Sequence, residues 1–529
     1  MRGLPPLLAV LAPCAGPAPA LAQQDPFAEG IVWTWEAQAG TPWIPERARF
    51  AGRTSLVWAA ARGLAPRLAA LDEPGLGAVA PRVLDVATPA SASHVDAASG
   101  RRADALFALH QRPDPTPSER RTTVHRHDPV AASTGAAFLP AWTWDPGFRT
   151  NGPARVACDA DGATVAAAIW DSTAGGVHLA LLDGDTGAVR ATADLPGGSS
   201  LQALAVSGDG SRVALTTGLV LFVLDGGGDV VLETALPVST PALAVSGDGR
   251  VLAHGGGPAV TVLAEDPAGA WSTALAVGAP ASQVASRLDL SPDGGVLAVG
   301  WWDHVAQNRL RLEVRDVAGG TPLNDHTTGG GPLQNLPAVV RLTPDGSRVA
   351  LGSWGDGAAA PEVLLFAVGQ DEPLLELDVP GSVHDLDLDE WGTRLAVAHK
   401  DGHANQTGAT GGVLLAQTGE RSLDQRQPLR IGRSARFDTR WPGASAALLL
   451  VGERTVPSVV GGATGLLHLD RSTLVARIAP AVAGKATLGL AVPSDPAWVG
   501  RHVAVQAAFR AGGGTFLGSA VLEPVVLGR

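Results

Sequence analysis

Val340-Arg-Leu-Thr-Pro-Asp-Gly-Ser-Arg-Val-Ala-Leu351 is the stretch on which the reading of this chain turns. An alternating apolar run meets a Pro-Asp-Gly step and is answered by a second apolar run. Asp-Gly supplies the positive φ angles of a tight turn, and apolar residues at period 2 mark a half-buried strand. The stretch therefore predicts a β-hairpin. Leu288-Asp-Leu-Ser-Pro-Asp-Gly-Gly-Val-Leu-Ala-Val299 and Leu204-Ala-Val-Ser-Gly-Asp-Gly-Ser-Arg-Val-Ala-Leu215 repeat it. Looser copies turn at Gly162, Gly249 and Gly392. Two more lie upstream: Val95 to Gly100 leads into Ala105–Leu109, and Arg49-Phe-Ala-Gly52 leads into Ser55-Leu-Val-Trp58.

The turn glycines stand at 52, 100, 162, 210, 249, 294, 346 and 392, a period near 45 residues. A third and a fourth apolar run usually follow each hairpin, as in Leu219–Leu224 and Val230–Leu236. Four strands per unit at this period is the pattern of a β-propeller blade. Eight hairpins predict eight blades, with seven as the alternative if the first or second is mis-assigned. Alternation and glycine density exclude a helical repeat. Trp142-Thr-Trp144 should be the outer strand of the blade before Gly162. By analogy Trp33-Thr-Trp35 is also an outer strand, although no blade precedes it. It is expected to complete the last blade, beside Gly412–Gln417, and so close the ring.

The units resemble WD40-like and other bacterial secreted propellers, most closely in the turns Ser291-Pro-Asp-Gly294 and Thr343-Pro-Asp-Gly346. The Gly-His and Trp-Asp dipeptides of strict WD40 units are not found at matching positions. The resemblance implies a fold and no activity, because such turns occur in propellers of many functions.

Composition agrees with an all-β chain. Of 529 residues, 66 are Gly, 40 are Pro and 17% are charged, which suits short strands and tight turns. A net charge of −12 argues against nucleic acid as partner. Residues 1–22 read as a signal peptide: Arg2, the apolar Leu4–Leu11, then Ala20-Leu21-Ala22 as a cleavage site. A rival reading is lipidation at Cys14, which the preceding Pro13 fits poorly. No later run is long enough to span a membrane. The expected address is the periplasm or the extracellular space. Cys158 is then left without a partner and reads as a small strand hydrophobe. The propeller is expected over 30–425 and a small β-sandwich over 430–529. Apolar runs at Ala446–Val451, Gly465–Leu469, Thr487–Val492, Val503–Phe509 and Thr515–Leu522 supply the sandwich.

No catalytic motif stands out. Gly-x-Ser-x-Gly, His-Glu-x-x-His and paired Cys ligands are absent, so no metal ligand set and no cofactor is expected. Asp159, Asp161, Asp183 and Asp185 lack calcium-loop spacing and read as turn formers. The positive signal is a polar-aromatic cluster just past the second strand of several blades: Trp170 and Asp171; Trp301, Trp302, Asp303 and His304; Trp354 with Asp356; His399, Lys400 and Asp401 with His403. On one rim these side chains would bind a sugar or peptide by stacking and hydrogen bonding. The competing reading packs the tryptophans between blades and the acids into turns. Asn324–Asn335 reads as a loop insertion. Arg120, Arg121, His125, Arg126 and His127 read as a solvated basic outer strand. The favoured function is an exported, non-enzymatic scaffold whose rim binds an extracellular protein, peptide or glycan. The alternatives are a lactonase-like or lyase-like enzyme with a metal at the channel, and a purely structural surface component.

Overall fold

Eight sheets of the propeller type follow one another along the computed structural model. It describes residues 29–522 apart from internal stretches, the longest at 37–42, 73–81, 87–92, 114–119 and 129–138. The expected signal peptide, Cys14 and the turn at Gly52 lie outside the described residues. Blade 1 opens with the inner strand Trp43–Phe50, and the inner strands of blades 2 to 8 are Ser93–Ala98, Ala154–Cys158, Leu201–Val206, Ala242–Val245, Gln283–Leu290, Pro337–Leu342 and Val383–Leu388. In blades 1 to 7 each is followed by a second, third and outer strand in simple antiparallel order, and in blade 8 by a second and third. Blade 2 carries two short outer partners, Trp142–Trp144 and Arg149–Thr150, both paired with Arg120–His127.

The blade turns have a common internal chemistry. Gly162, Gly210, Gly249, Gly294, Gly346 and Gly392 all adopt positive φ, between 63° and 72°. Three residues before each glycine stands a side-chain acceptor, either Ser or Thr (Ser207, Ser246, Ser291, Thr343) or Asp (Asp159, Asp389). Each accepts the backbone N–H two residues past the glycine at 2.8–3.2 Å: Thr164, Arg212, Val251, Val296, Arg348 and Arg394 donate. Where the acceptor is a hydroxyl it donates onward to the turn aspartate, as Ser291 does to Asp293 at 2.5 Å. The repeated Ser/Thr-x-Asp-Gly is therefore a closed hydrogen-bond circuit that holds the hairpin.

Burial then divides the four strands. In blade 3 the second and third strands, Thr164–Asp171 and Gly176–Asp183, are buried along most of their length. The outer strand Val189–Pro196 exposes most of its residues. Neighbouring blades share apolar seams, such as the one built from Phe107, Leu109, Trp144, Val165, Ile169 and Leu182 between blades 2 and 3. Asn324–Asn335, expected as a loop, contains most of an outer strand, Pro322–Gly329 of blade 6. Asn324 is buried and accepts the Gly369 N–H of blade 7 at 2.9 Å. A polar outer strand carries no apolar alternation, so its composition resembled that of a loop.

The ring closes as expected. Gly30–Glu36 pairs antiparallel with Gly411–Gln417, Trp33 opposite Leu415 and Trp35 opposite Val413. Trp33 and Trp35 enter the seam between blades 8 and 1, with the Trp35 ring 4.3 Å from that of Trp43. Trp144 does the same in the seam between blades 2 and 3.

Beyond the ring, Leu423–Gln425, Ser434–Arg440 and Lys485–Ala491 form one sheet. Ala444–Gly452, Val475–Pro480, Ala504–Ala511, Gly514–Leu522 and the short Ala463–Thr464 form another, and Arg454–Val459 pairs with Leu466–Leu469. One core runs between the two larger sheets through Phe437, Leu449, Leu488 and Phe509. Trp391, from the blade 8 turn, packs on Leu450, Leu467 and Leu469.

Candidate functional site at the channel mouth

The inner strands leave one edge unpaired toward a central channel of about 880 Å³. Carboxylates from one blade satisfy part of that edge on the next. Asp96 accepts the Val156 N–H (3.2 Å), Asp289 that of Leu342 (2.7 Å), and Asp387 that of Phe50 (3.0 Å). The same row of acids anchors arginines: Arg47 on Asp96 at 2.8 Å, Arg49 on Asp385, and Arg101 on Asp289 at 3.4 Å. Enclosure by the ring works against the Arg47 cation, but Asp96 and Asp385 outweigh it and hold its pKa above the ordinary value.

Not every channel arginine is anchored in this way. Arg155, Arg287 and Arg341 also line the channel and make no ion pair among the described residues. Arg287 donates to the carbonyl oxygens of Ala338 (2.6 Å) and Ser286 (2.7 Å). Arg287 is exposed to the channel yet surrounded by protein, and its pKa is lowered first by that enclosure, then by Arg47 and Arg341. On the rim of the second-to-third-strand loops lies a pocket of about 290 Å³ that shares Arg47, Arg287, Ala338 and His384 with the channel. Arg47, Arg287, Trp354, His384, Lys400 and Glu46 are among its walls. Lys400 is buried and gives its ammonium to the carbonyls of His403, Ala404 and Gln406, which fixes the loop at the pocket edge. The arrangement can hold an anion beside an aromatic face.

The rim residues expected from sequence divide into several roles. Trp354 lies at this pocket, its ring 6.2 Å from that of His403, whose Nε2 meets the Gln334 carbonyl at 2.6 Å. Trp301 is fully buried between blades 5 and 6, and its indole N–H donates to Glu313 at 2.9 Å. It offers no surface to a ligand, which corrects that expectation. Asp356 is likewise buried, accepting from Gly331 (2.7 Å) and Ala358 (2.9 Å). Trp302 is partly exposed and donates to the Gln307 carbonyl, with His304 exposed at 6.3 Å between ring centres. Asp303 caps its turn through Val305 and Ala306, and Asp171 accepts from Ala174. Hydrogen bonding lowers the Asp303 pKa. Trp170 packs against the seam of blades 3 and 4. His399 is buried and belongs with Glu36 and Asp401, each carboxylate 3.6 Å from a different ring nitrogen. Gly412 lies between the His399 and Glu36 strands, and a Cβ there would stand 2.3 Å from the Glu36 carboxylate.

Asp159 and Asp183 serve turns, as expected: Asp159 accepts from Ala163 and Thr164, Asp183 from Asp185 and Thr186. Burial pushes the Cys158 thiol upward, so it is a poor nucleophile. The expected basic outer strand is corrected. Arg120–His127 is a third strand with outer partners of its own, and His125 and His127 are buried. Burial first, then Arg112, lowers the His125 pKa to about 4, against the opposing effect of Asp145. The channel arginines went unread in sequence because they come one or two at a time from blades 1, 2, 3, 6 and 7.

No protein-family model matches this chain, and no characterised protein matches it by sequence. Among solved structures it is similar to Sqt1 of Chaetomium thermophilum, with 16% identity and a TM-score of 0.50 over 74% of this chain and 99% of that one. It is also similar to the C-terminal WD40 domain of Sif2, with 12% identity and a TM-score of 0.49 over 73% of this chain and 99% of that one. The propeller domain of Cps50 (Swd1) from Myceliophteria thermophila is similar at 13% identity, with a TM-score of 0.44 over 64% of this chain and 100% of that one. The likeness to Sqt1 is one of fold, and the ring of blade sheets makes that fold a β-propeller. No described helix is long and apolar enough to cross a membrane.

Proposed function

We propose that this chain is an exported, non-enzymatic scaffold that takes an acidic segment of a partner protein into the mouth of its channel. The observation that carries the reading is the group of guanidinium ions there, with Arg287 held by backbone carbonyls and in no ion pair among the described residues. A carboxylate presented between Arg287 and Arg47 would gain charge-assisted bonds, and Trp354 offers an apolar wall for the adjoining chain. Asp96, Asp385 and Asp387 are already committed to arginines and backbone N–H groups, which favours a recognition site over acid–base chemistry at those carboxylates. Export rests on the leader-like residues 1–22.

The test uses a fluorescent decapeptide of alternating Glu and Asp, with a Lys decapeptide as control, on the purified full-length protein. Saturable binding of the acidic peptide alone is expected, weakening as salt rises. Arg287→Ala with Arg341→Ala should reduce affinity at least tenfold at unchanged melting temperature. Equal binding of the two peptides, or native affinity in the double variant, overturns the reading.

A further inference from the structure

We propose that His110, His125 and His127 form a binding site for a divalent transition metal, zinc by preference, in the seam between blades 1 and 2. His125 and His127 alternate on the third strand of blade 2 and so project from one face. His110, on the second strand, stands opposite Thr123, and Ala108 stands opposite His125, which puts all three imidazoles on that same face. The face is turned to blade 1, because its members Leu106 and Ala108 pack with Trp58, Ala60 and Leu68.

In the next seam, between blades 2 and 3, strand residues such as Ala167, Ile169, Ala180 and Leu182 are all fully buried aliphatics. In the seam between blades 1 and 2 the corresponding face carries three buried imidazoles instead. One candidate ring nitrogen from each lies within 4.8 Å of the others. The His110 and His125 rings meet edge to face at 4.6 Å, and His125 and His127 are stacked at 6.1 Å with 6° between planes. Zinc bound at 2.0–2.1 Å to each nitrogen sets those atoms roughly 3.4 Å apart, so the rings need to close by about 1 Å.

Thr143, on the outer strand, lies 3.3 Å from Nδ1 of His125, and Thr123 lies 2.9 Å from Nε2. With Thr143 accepting from Nδ1–H, Nε2 is the ligating nitrogen, and the Thr123 hydroxyl gives way there to the metal. Thr143 is the orienting partner that ligating histidines characteristically have. Three imidazoles suit zinc, copper or nickel and not calcium or magnesium. Neither Cys nor carboxylate joins the group among the described residues.

The experiment is a cobalt titration of the chelator-treated, full-length protein, followed by visible absorption and then by displacement with zinc. The expected result is one equivalent of cobalt with the intense bands of four-coordinate geometry, lost on adding zinc. Zinc should also raise the melting temperature. His127→Gln should weaken cobalt binding at least tenfold, whereas Glu36→Gln, at the separate His399 group, should leave the spectrum unchanged. If His127→Gln does not fold, the native titration and the Glu36→Gln variant still decide. A spectrum no stronger than that of the aqueous ion at tenfold excess, native binding in folded His127→Gln, or loss of the bands in Glu36→Gln overturns the proposal.

Discussion

Glu362 sits just ahead of the third strand of blade 7 and is 6% exposed. It accepts the Val379 N–H at 3.0 Å, and its backbone carbonyl accepts from Ser353. Burial, with Asp378 alongside, raises its pKa to about 7 against the favourable bonds from the Val379 N–H and its own backbone. The folded state therefore holds a proton that the unfolded chain releases near pH 4.5. Its stabilising contribution is full below that pH and is lost as pH rises through 7. Glu362→Gln keeps the acceptor for Val379 without the charge. The variant should match the native protein in melting temperature at pH 4.5. At pH 8 it should exceed the native protein by on the order of 1–2 kcal/mol. An equal difference at both pH values would place the effect elsewhere. Trp301 makes a related point about reading single residues. In sequence it was the most conspicuous aromatic of a suspected binding rim, yet its N–H is given to Glu313, itself held by Arg315 and Arg311. Side-chain type announced an aromatic with a polar partner, and only the packed seam decided that the partner is internal.

At the scale of elements, legibility followed locality. A turn such as Ser291–Gly294 is determined within seven residues by its own hydroxyl, carboxylate and glycine, so the hairpins could be read directly. The closing strand was legible for a different reason: Trp-Thr-Trp occurs twice, and the second copy had a blade in front of it. Outer strands were harder. Pro322–Gly329 meets solvent on one side and needs no apolar alternation, and it read as a loop. The channel arginines were hardest, since Arg47, Arg155, Arg287 and Arg341 meet only once the ring has closed. The closing strand should accordingly carry a large share of stability. Trp35 is 8% exposed and stacks on Trp43 across the seam between blades 8 and 1. Trp35→Ala should cost about 3 kcal/mol, the lower range for truncating a buried tryptophan, because the strand edge can partly settle. Equilibrium urea unfolding measures it. A cost below about 1 kcal/mol would mean that the ring does not depend on this contact.

For the whole molecule, the two chain ends have unequal duties. All of the eighth blade lies between residues 383 and 417 except its outer strand, Gly30–Glu36, so the ring is complete without any later residue. The sheets beyond Leu423 have a core of their own through Phe437, Leu449 and Phe509, and Trp391 packs against them from the ring. Removing residues 423–529 should therefore leave a propeller that unfolds cooperatively, at a somewhat lower temperature because Trp391 becomes exposed. Removing residues 29–36 withdraws a strand and two seam tryptophans from a closed ring. It also leaves Gly411–Gln417 as a bare edge of the kind that pairs with other chains. That chain should lose its sharp near-ultraviolet signal and aggregate, even though it is shortened by far less. Heat scans with near-ultraviolet circular dichroism on the two truncations separate these outcomes. If the C-terminal truncation is the one that fails to fold, the later sheets are a structural part of the propeller, and the division of labour argued here is wrong.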